Sequence, residues 1–412
     1  MRRRPSISVV IPTRERADTL ASSLRSCTSQ DDDELEIIVS DNFSADGTRD
    51  IVASVTDERV RYFNTGRRLG MSQNWEFGLS QAAGDYVMFL GDDDALLPGA
   101  TRELRSLIVD TQAPAVSWRA AQYCWPDHTA QSLRNRLVIP IGTSRRNRGA
   151  ATVLRDVLGF RRDYLDLPSV YHGLVSRTAI DGARDGSGRF FCSRTPDVYS
   201  GIAIACVIDT YVYCSRPYSL NGASSHSTGT AQMTGMLEQG PAQQYISEDN
   251  IPFHPRMTIA GSIPILVAEC FMQARDHIAS AERYSLDLRL ALETALDRTA
   301  AAPARQHDEV TAAVADTARK NGLAAQFETR AAHPRNRPGE TLKPISGLNI
   351  FRGQIQVDCL KFGVNDVADA ALLSSWILTM HQEGVLSVRK ALGGAATRVA
   401  SRVRSRMPRR GA

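Results

Sequence analysis

Three consecutive aspartates, Asp92, Asp93 and Asp94, are the residues of this sequence with the clearest capacity for chemistry. They follow an apolar run, residues 86–90, that is typical of a strand buried on both faces. Carboxylates this close repel each other unless a cation lies among them, and their hard oxygens suit Mg²⁺ or Mn²⁺ together with substrate phosphates. The segment therefore predicts a metal–diphosphate site, with a solvated acidic loop as the alternative.

The elements that must position these aspartates alternate along the first part of the chain. Apolar or β-branched runs predict strands, with helical patterns between them, at residues 7–11, 36–40, 59–63, 86–90 and 115–118. Such alternation predicts a parallel or mixed sheet with helices on both faces. Ligands bind such sheets beyond the carboxyl ends of the strands, where Asp41 also lies.

The composition is that of an ordinary globular protein, with 42% hydrophobic and 23% charged residues among 412. The seven cysteines form no CxxC pair, which favours reduced core thiols of a cytosolic protein over disulfides or a zinc site. No apolar run reaches 18 residues and the start does not fit a signal peptide, so neither a transmembrane helix nor a leader is predicted.

The sequence divides into four predicted parts. Residues 1–230 carry the strand–helix alternation, 231–331 are helical by pattern, and 332–345 form a proline-containing linker. Residues 346–412 are predicted to be helices that end in a basic tail. After Glu383 there are eight basic residues and no acidic one, and residues 385–410 suggest an amphipathic helix on an anionic membrane surface or a disordered basic tail. The acidic balance of the rest argues against nucleic-acid binding.

Three motifs occur in one register: Pro12-Thr13-Arg14-Glu15-Arg16, the segment from Asp41 to Thr48, and the segment from Gly84 to Pro98. Together they resemble the family 2 glycosyltransferases, over roughly residues 5–225. The resemblance implies a GT-A fold, which is an α/β Rossmann-like nucleotide-diphospho-sugar transferase with a mixed sheet flanked by helices, here with a helical C-terminal extension. It also implies a nucleotide-diphospho-sugar donor, a divalent metal and inversion at the anomeric carbon.

The resemblance also implies roles for single residues. Pro12, Thr13 and Glu15 would lie against the nucleoside, Asp41 would read the base, and Asp92 and Asp93 would hold the donor. Metal binding is expected from Asp94, Asp92 and His226, with Mg²⁺ or Mn²⁺ as the ion. Gly91 stands where the family usually has its first carboxylate, so the division of roles among the three aspartates stays open.

Asp197 stands where the family has its general base, at the start of an apolar helix, and a helix N-cap is the alternative for this residue. His226 has the alternative of a surface histidine in a loop, and His172 is predicted to be a packed core residue. Thr13 and Glu15 have the alternative of capping the first helix.

The function predicted from these residues is transfer of a sugar, of the hexosyltransferase type, to a hydroxyl of a cell-surface glycan or a lipid-linked acceptor. The expected location is the cytoplasm, with peripheral attachment to the inner face of the membrane if the tail binds there. Two alternatives stay open: a catalytically silent nucleotide-sugar-binding scaffold, and a sugar-1-phosphate nucleotidyltransferase, although the latter's glycine-rich signature is missing. The sequence does not identify the sugar, the linkage or the oligomeric state.

Overall fold

A computed structural model describes residues 4–227, 251–300, 302–327, 348–351 and 353–383. The predicted linker 332–345, the basic tail 385–410 and residues 231–250 lie outside the described residues. The strands are β1 Ile7–Thr13, β2 Leu35–Asp41, β3 Val60–Asn64, β4 Tyr86–Phe89, β5 Ala95–Leu96, β6 Ala115–Trp118, β7 Ala121–Cys124, β8 Arg136–Pro140, β9 Arg145–Gly149, β10 Gly173–Ser176, β11 Thr210–Cys214, β12 Ser219–Ala223, β13 Leu348–Phe351 and β14 Gln354–Asp358. The helices are α1 Ala17–Thr28, α2 Thr48–Ala53, α3 Met71–Gln81, α4 Ala100–Thr111, α5 Ala150–Leu158, α6 Arg177–Gly182, α7 Pro196–Val207, α8 Ile263–His277, α9 Leu288–Thr299, α10 Ala304–Lys320, α11 Ala324–Phe327 and α12 Val367–Gln382.

An eight-stranded mixed sheet lies at the centre of the molecule, in the order β3-β2-β1-β4-β10-β6-β11-β9. Strands β1, β2 and β4 are parallel, and β10 runs antiparallel to β4. Apolar side chains on both faces of β1 and β2 are buried because helices cover the sheet on each side. Helices α1 and α4 pack on one face, and α3, α5 and α7 pack on the other. This arrangement confirms the predicted mixed α/β sheet flanked by helices.

A second sheet of six strands has the order β13-β14-β8-β7-β12-β5. Strands β13 and β14 differ from the sequence analysis, which predicts helices alone after residue 346. They form a hairpin that turns at Gly353, whose φ of 75° favours glycine. Strands of four and five residues are too short for a period-two pattern to stand out, which explains why the sequence does not reveal them.

The helical region after residue 250 is confirmed for the residues that the structure describes. Helices α8 to α10 pack on each other through a small apolar core, and α8 also contacts the core beneath α7. Helix α12 packs separately, against the second sheet. Within the described ranges, no helix combines the length and the apolar character that crossing a membrane requires.

The two sheets meet at the carboxyl end of β4. Thr13 at the end of β1 pairs in register with Asp41 at the end of β2, and β4 ends beside them. The chain then passes through Gly91 to Asp94 and enters β5 of the second sheet, which pairs with β12. The first two motifs and the three aspartates therefore lie at one edge of the central sheet.

The close approach of β12 to the loop after β4 generates a prediction about stability. A methyl group on Gly222 would overlap the carbonyl oxygen of Asp93 and the indole nitrogen of Trp125, whereas one on Gly186 would meet open space. We expect Gly222→Ala to lower the free energy of unfolding by about 1 to 3 kcal/mol, because overpacking forces the backbone to shift. Urea denaturation measures this change in the free energy of unfolding, and Gly186→Ala is the control. Equal stability of the two variants would contradict the packing described.

Candidate active site at the end of the central strand

The carboxylate of Asp92 is buried against β1. Its Oδ2 accepts a hydrogen bond of 2.8 Å from the Thr13 hydroxyl, and its Oδ1 accepts one of 2.8 Å from Arg16. Burial raises the pKa of Asp92, although Arg16 and Thr13 oppose that shift. The pKa of Arg16 is itself raised, because Asp92 and Asp93 outweigh the effect of its burial. Asp92 and Arg16 therefore form a buried ion pair at the mouth of the site.

Asp93 is held by hydroxyl groups of the loop after β12. Ser224 and Ser227 donate to its Oδ2 at 2.8 and 2.5 Å, and Trp125 donates to its main-chain oxygen at 3.0 Å. No described residue donates a hydrogen bond to Asp93 Oδ1. Burial and then the neighbouring Asp94 and Asp92 charges raise the pKa of Asp93 to about 6, with Arg16 opposing. Within the described ranges, one oxygen of this carboxylate thus has no hydrogen-bond donor.

Asp94 is completely buried, and both of its oxygens are engaged. The donors to Oδ1 are Gly222 N at 2.8 Å and Asn221 Nδ2 at 3.4 Å, and those to Oδ2 are Gly91 N at 2.7 Å, Tyr171 Oη at 2.8 Å and His172 Nε2 at 3.2 Å. Burial alone would raise the pKa of Asp94, but His172 and these donors hold it below its ordinary value. Asp94 therefore joins the loops that precede β5 and β10 to strand β12.

His172 is packed, as predicted from the sequence, but it also faces the aspartates. Its Nδ1 lies 2.8 Å from the Ser219 hydroxyl, which in turn accepts a hydrogen bond from the Trp118 indole at 2.8 Å. Its contact with Asp94 requires a proton on Nε2, because two acceptors would repel each other. The left-handed backbone of His172, with φ of 49°, is uncommon for this residue type and turns the side chain toward the site.

At the end of β2, Asp41 accepts hydrogen bonds from Tyr62 at 2.5 Å, Asn64 at 2.9 Å and the main chain of Ser44 at 3.0 Å. Glu15 is exposed and accepts from the main-chain nitrogens of Ala45 and Asp46. Glu15 therefore holds the loop after β2 in place, while Asp41 is fixed within the edge of the sheet.

Asp197 lies in the first turn of α7. Burial raises the pKa of its carboxyl, while main-chain N–H groups and His172 lower it. Burial and then Asp94, Asp93 and Asp197 raise the pKa of Tyr171 well above its ordinary value. Tyr171 donates a hydrogen bond to Asp94 and its pKa also responds to Asp197, which indicates that Asp197 lies near the aspartates after β4.

His226 contributes to the site through its main chain. Its carbonyl oxygen accepts a hydrogen bond from Arg16, while its half-exposed imidazole lies 4.0 Å from Asp18 Oδ2. Among the described residues, no three ligand atoms of the predicted set lie within 4.8 Å of one another. The arrangement fits Mg²⁺ or Mn²⁺ in one respect: Asp93 offers a carboxylate oxygen free of protein donors, and Mg²⁺ needs only one or two such ligands beside substrate phosphates.

Several residues of this site are missing from the sequence analysis. Arg16 lies within the first motif and could have been found there. Tyr171 and Asn221 belong to segments without a recognisable motif. They reach Asp94 because β10 begins beside the end of β4 and β12 pairs with β5. Their sequence neighbourhoods give no signal of this contact.

The contrast between Asp94 and Asp93 generates a second prediction. Asp94→Asn places an amide where donors already point at both oxygens, so we expect it to lower the free energy of unfolding by about 2 to 3 kcal/mol. In Asp93→Asn, the amide oxygen can face Ser224 and Ser227 while the NH2 group takes the place of Oδ1. We therefore expect the free energy of unfolding to change by no more than about 1 kcal/mol. Urea denaturation in EDTA compares the two. A larger loss for Asp93→Asn would contradict the assignment of Asp94 as the structural carboxylate.

Comparisons with known proteins agree with the motifs. Residues 8–167 match the profile described as glycosyl transferase family 2. The chain is 43% identical over 103 residues to GalNAc(5)-diNAcBac-PP-undecaprenol beta-1,3-glucosyltransferase of Campylobacter jejuni, covering 24% of this chain and 33% of that protein. It is 30% identical over 100 residues to the succinoglycan biosynthesis protein ExoO of Rhizobium meliloti, covering 24% and 29%.

Among solved structures, the chain superposes on the crystal structure of S. aureus TarS 1–349 in complex with UDP-GlcNAc. The TM-score is 0.47 at 13% identity, over 84% of this chain and 95% of that one. The chain spans about a third of the length of the curated relatives it matches. The resemblance found in the three motifs is confirmed for residues 8–167, which are similar to glycosyl transferase family 2.

Proposed function

We propose that this protein transfers a sugar from a nucleotide-diphospho-sugar to a hydroxyl group of a glycan, with inversion at the anomeric carbon. The observation that carries the proposal is the convergence of the strand ends. Thr13, Asp41 and the aspartates after β4 lie at one edge of the central sheet. The pKa of Tyr171, which donates a hydrogen bond to Asp94, also responds to Asp197, so this candidate base would lie near the donor-binding groups.

The nucleoside side of the donor would bind at the ends of β1 and β2. Asp41, fixed by Tyr62 and Asn64, offers carboxylate oxygens to the N–H groups of a base. Pro12 and Thr13 would border the nucleoside. Glu15 would act by holding the loop of residues 44–46 against it, because its oxygens already accept main-chain hydrogen bonds there.

The diphosphate would bind at Asp92, Asp93 and Arg16. Asp93, through its free Oδ1, and Asp92 beside it would hold Mg²⁺ or Mn²⁺, which would neutralise the charge that develops on the departing nucleoside diphosphate. The sequence assigns Asp94 and His226 to the metal, but the His226 imidazole faces Asp18. The two oxygens of Asp94 already accept two and three hydrogen bonds, whereas each oxygen of Asp92 accepts one. We therefore propose Asp93 and Asp92 as the ligands. Arg16 adds a fixed positive charge for the phosphates.

Asp197 would act as the general base. In its ionised form it would accept the proton of the acceptor hydroxyl while that oxygen forms a bond to the anomeric carbon. The bond from this carbon to the diphosphate oxygen breaks on the opposite face. The raised pKa of Asp197 brings its basicity closer to neutral pH, which favours proton transfer.

The acceptor class is proposed from the relatives. The name of the Campylobacter relative includes GalNAc(5)-diNAcBac-PP-undecaprenol, and the Rhizobium relative is named for succinoglycan biosynthesis. We propose a lipid-linked or cell-surface glycan as the acceptor here, within the cytoplasm or at the inner membrane surface. The basic residues 385–410, predicted to meet that surface, lie outside the described residues.

The proposal predicts that one donor binds only with a divalent metal. A panel of UDP-, GDP- and dTDP-sugars is titrated calorimetrically with Mn²⁺, Mg²⁺ or EDTA, and release of nucleoside diphosphate is followed. We expect one donor to bind and to be slowly hydrolysed, and EDTA to abolish both effects because the diphosphate then meets unscreened carboxylates. Binding without turnover, even with lipid-linked glycan acceptors, would support the silent scaffold. Absence of binding by every donor would overturn the proposal.

A separate prediction concerns Asp197. We expect Asp197→Asn to lower kcat by about 100-fold or more while donor affinity stays within a few-fold of its original value, because a general base acts on the acceptor proton. Since turnover needs the ionised carboxylate, kcat/KM should rise with pH through a pKa above the ordinary aspartate range. Asp181→Asn, at a half-exposed surface position, is the matched control. A kcat unchanged in Asp197→Asn would contradict the assignment.

A further inference from the structure

A second group of metal-binding side chains lies away from the aspartates after β4. Asp185, Cys192 and His277 place one ligand atom each within 4.8 Å of one another. Among the residues that the structure describes, this is the one group of three such side chains to do so. The proposed sugar transfer does not use any of the three.

The distances in this group resemble those of a tetrahedral zinc site. Cys192 Sγ lies 3.7 Å from Asp185 Oδ2, and His277 Nδ1 lies 3.8 Å from the same oxygen. With zinc bonds of about 2.3 Å to sulfur and about 2.0 to 2.2 Å to nitrogen and oxygen, neighbouring ligand atoms of a tetrahedron are about 3.4 to 3.6 Å apart. An ion would thus need the side chains to move by only a few tenths of an ångström along these two edges.

Hydrogen bonds within the protein already orient the carboxylate of Asp185 for binding a metal ion. Its Oδ1 accepts three hydrogen bonds, from Ser187 N at 2.8 Å, Ser187 Oγ at 2.7 Å and Arg189 N at 2.9 Å. Its Oδ2 is left to face Cys192 and His277. Hydrogen bonds to the second oxygen of a ligating carboxylate are what holds such a ligand in place at metal sites.

A tight turn brings Cys192 back to Asp185. The main-chain N–H of Asp185 donates to the Arg189 carbonyl at 2.8 Å, and Gly188 adopts a φ of 84° that favours glycine. Cys192 is buried, Asp185 is largely buried, and the His277 side chain is 37% exposed. An ion could therefore enter from the His277 side, where a water molecule would complete four ligands.

Two neighbouring features favour a bound cation with a thiolate ligand. The fully buried hydroxyl of Tyr199 lies beside the Cys192 sulfur and has no hydrogen-bond partner of ordinary length in the part of the chain that the structure describes. A thiolate would accept its proton more strongly than a thiol. His277 is the last residue of α8, and the carbonyl end of a helix attracts positive charge.

We propose that Asp185, Cys192 and His277 bind one Zn²⁺ ion, which ties the segment before α7 to the end of α8. A thiolate, an imidazole and a carboxylate together suit Zn²⁺, whereas Mg²⁺ and Ca²⁺ take oxygen ligands alone. The sequence does not reveal this site, because its three ligands come from separate segments without CxxC spacing. The bridged segment leads from Cys192 into Asp197, so the ion would restrain the start of the helix that carries the proposed base.

The test measures metal binding to the untagged full chain without donor or acceptor, so its outcome does not depend on the proposed sugar transfer. Stripped protein is titrated with Zn²⁺ against a chromogenic chelator, and with Co²⁺ while thiolate-to-cobalt charge-transfer absorption is recorded. We expect one Zn²⁺ per chain and a charge-transfer band. The band distinguishes this site from the aspartates after β4, which include no thiol.

Cys192→Ser and His277→Ala should each weaken Zn²⁺ binding by at least about tenfold, and Cys192→Ser should remove the band. The matched control is Cys206→Ser, which removes a different buried thiol, on α7. This variant should keep both the Zn²⁺ binding and the charge-transfer band. His277 is exposed, so its variant should remain folded by circular dichroism even if Cys192→Ser does not. Absence of Zn²⁺ binding, or binding unchanged in His277→Ala with no charge-transfer band in the original chain, would overturn the proposal.

Discussion

The burial of the Asp94 carboxylate is the constraint on which the rest of the site depends. A charge removed from water must find hydrogen-bond donors, and Asp94 draws them from the loops before β5 and β10 and from β12 itself. The first of these loops leads from the central sheet to the second, the other leads into the central sheet, and β12 belongs to the second sheet, so one carboxylate contacts both sheets. The site is therefore held together by Asp94, whose oxygens already accept so many hydrogen bonds that little capacity is left to bind a ligand.

Three adjacent residues of one type acquire different properties from their surroundings. Asp92 faces a guanidinium, Asp93 faces two hydroxyl groups, and Asp94 faces main-chain and side-chain donors. The pKa of Asp93 is raised to about 6 while that of Asp94 is lowered, although the two side chains are neighbours. Like charges share a small volume here because each is stabilised by a separate set of partners.

Local patterns were enough to predict the central sheet and the convergence of Thr13, Asp41 and the aspartates, since each follows an apolar strand. The division of labour among the aspartates could not be predicted, because it depends on residues such as Asn221 that arrive from distant strands. The left-handed backbone of His172 and the hairpin of β13 and β14 could not be predicted from the sequence for a related reason. A left-handed residue and two short strands are stabilised by tertiary contacts, which leave no periodic pattern in the sequence.

The second sheet combines four strands from residues 95–223 with two strands from residues 348–358. Ile355 and Val357 of β14 and Ile377 of α12 share a core with Tyr123 and Leu220, and Arg25 of α1 is paired with Asp366 at the start of α12. A protein truncated after the segment that matches the family would expose this apolar surface to water and leave β8 as an unprotected edge. Expression trials and domain exchanges with relatives should therefore keep residues up to the end of α12. The segment that must be kept for independent folding is therefore longer than residues 8–167, which match the family model.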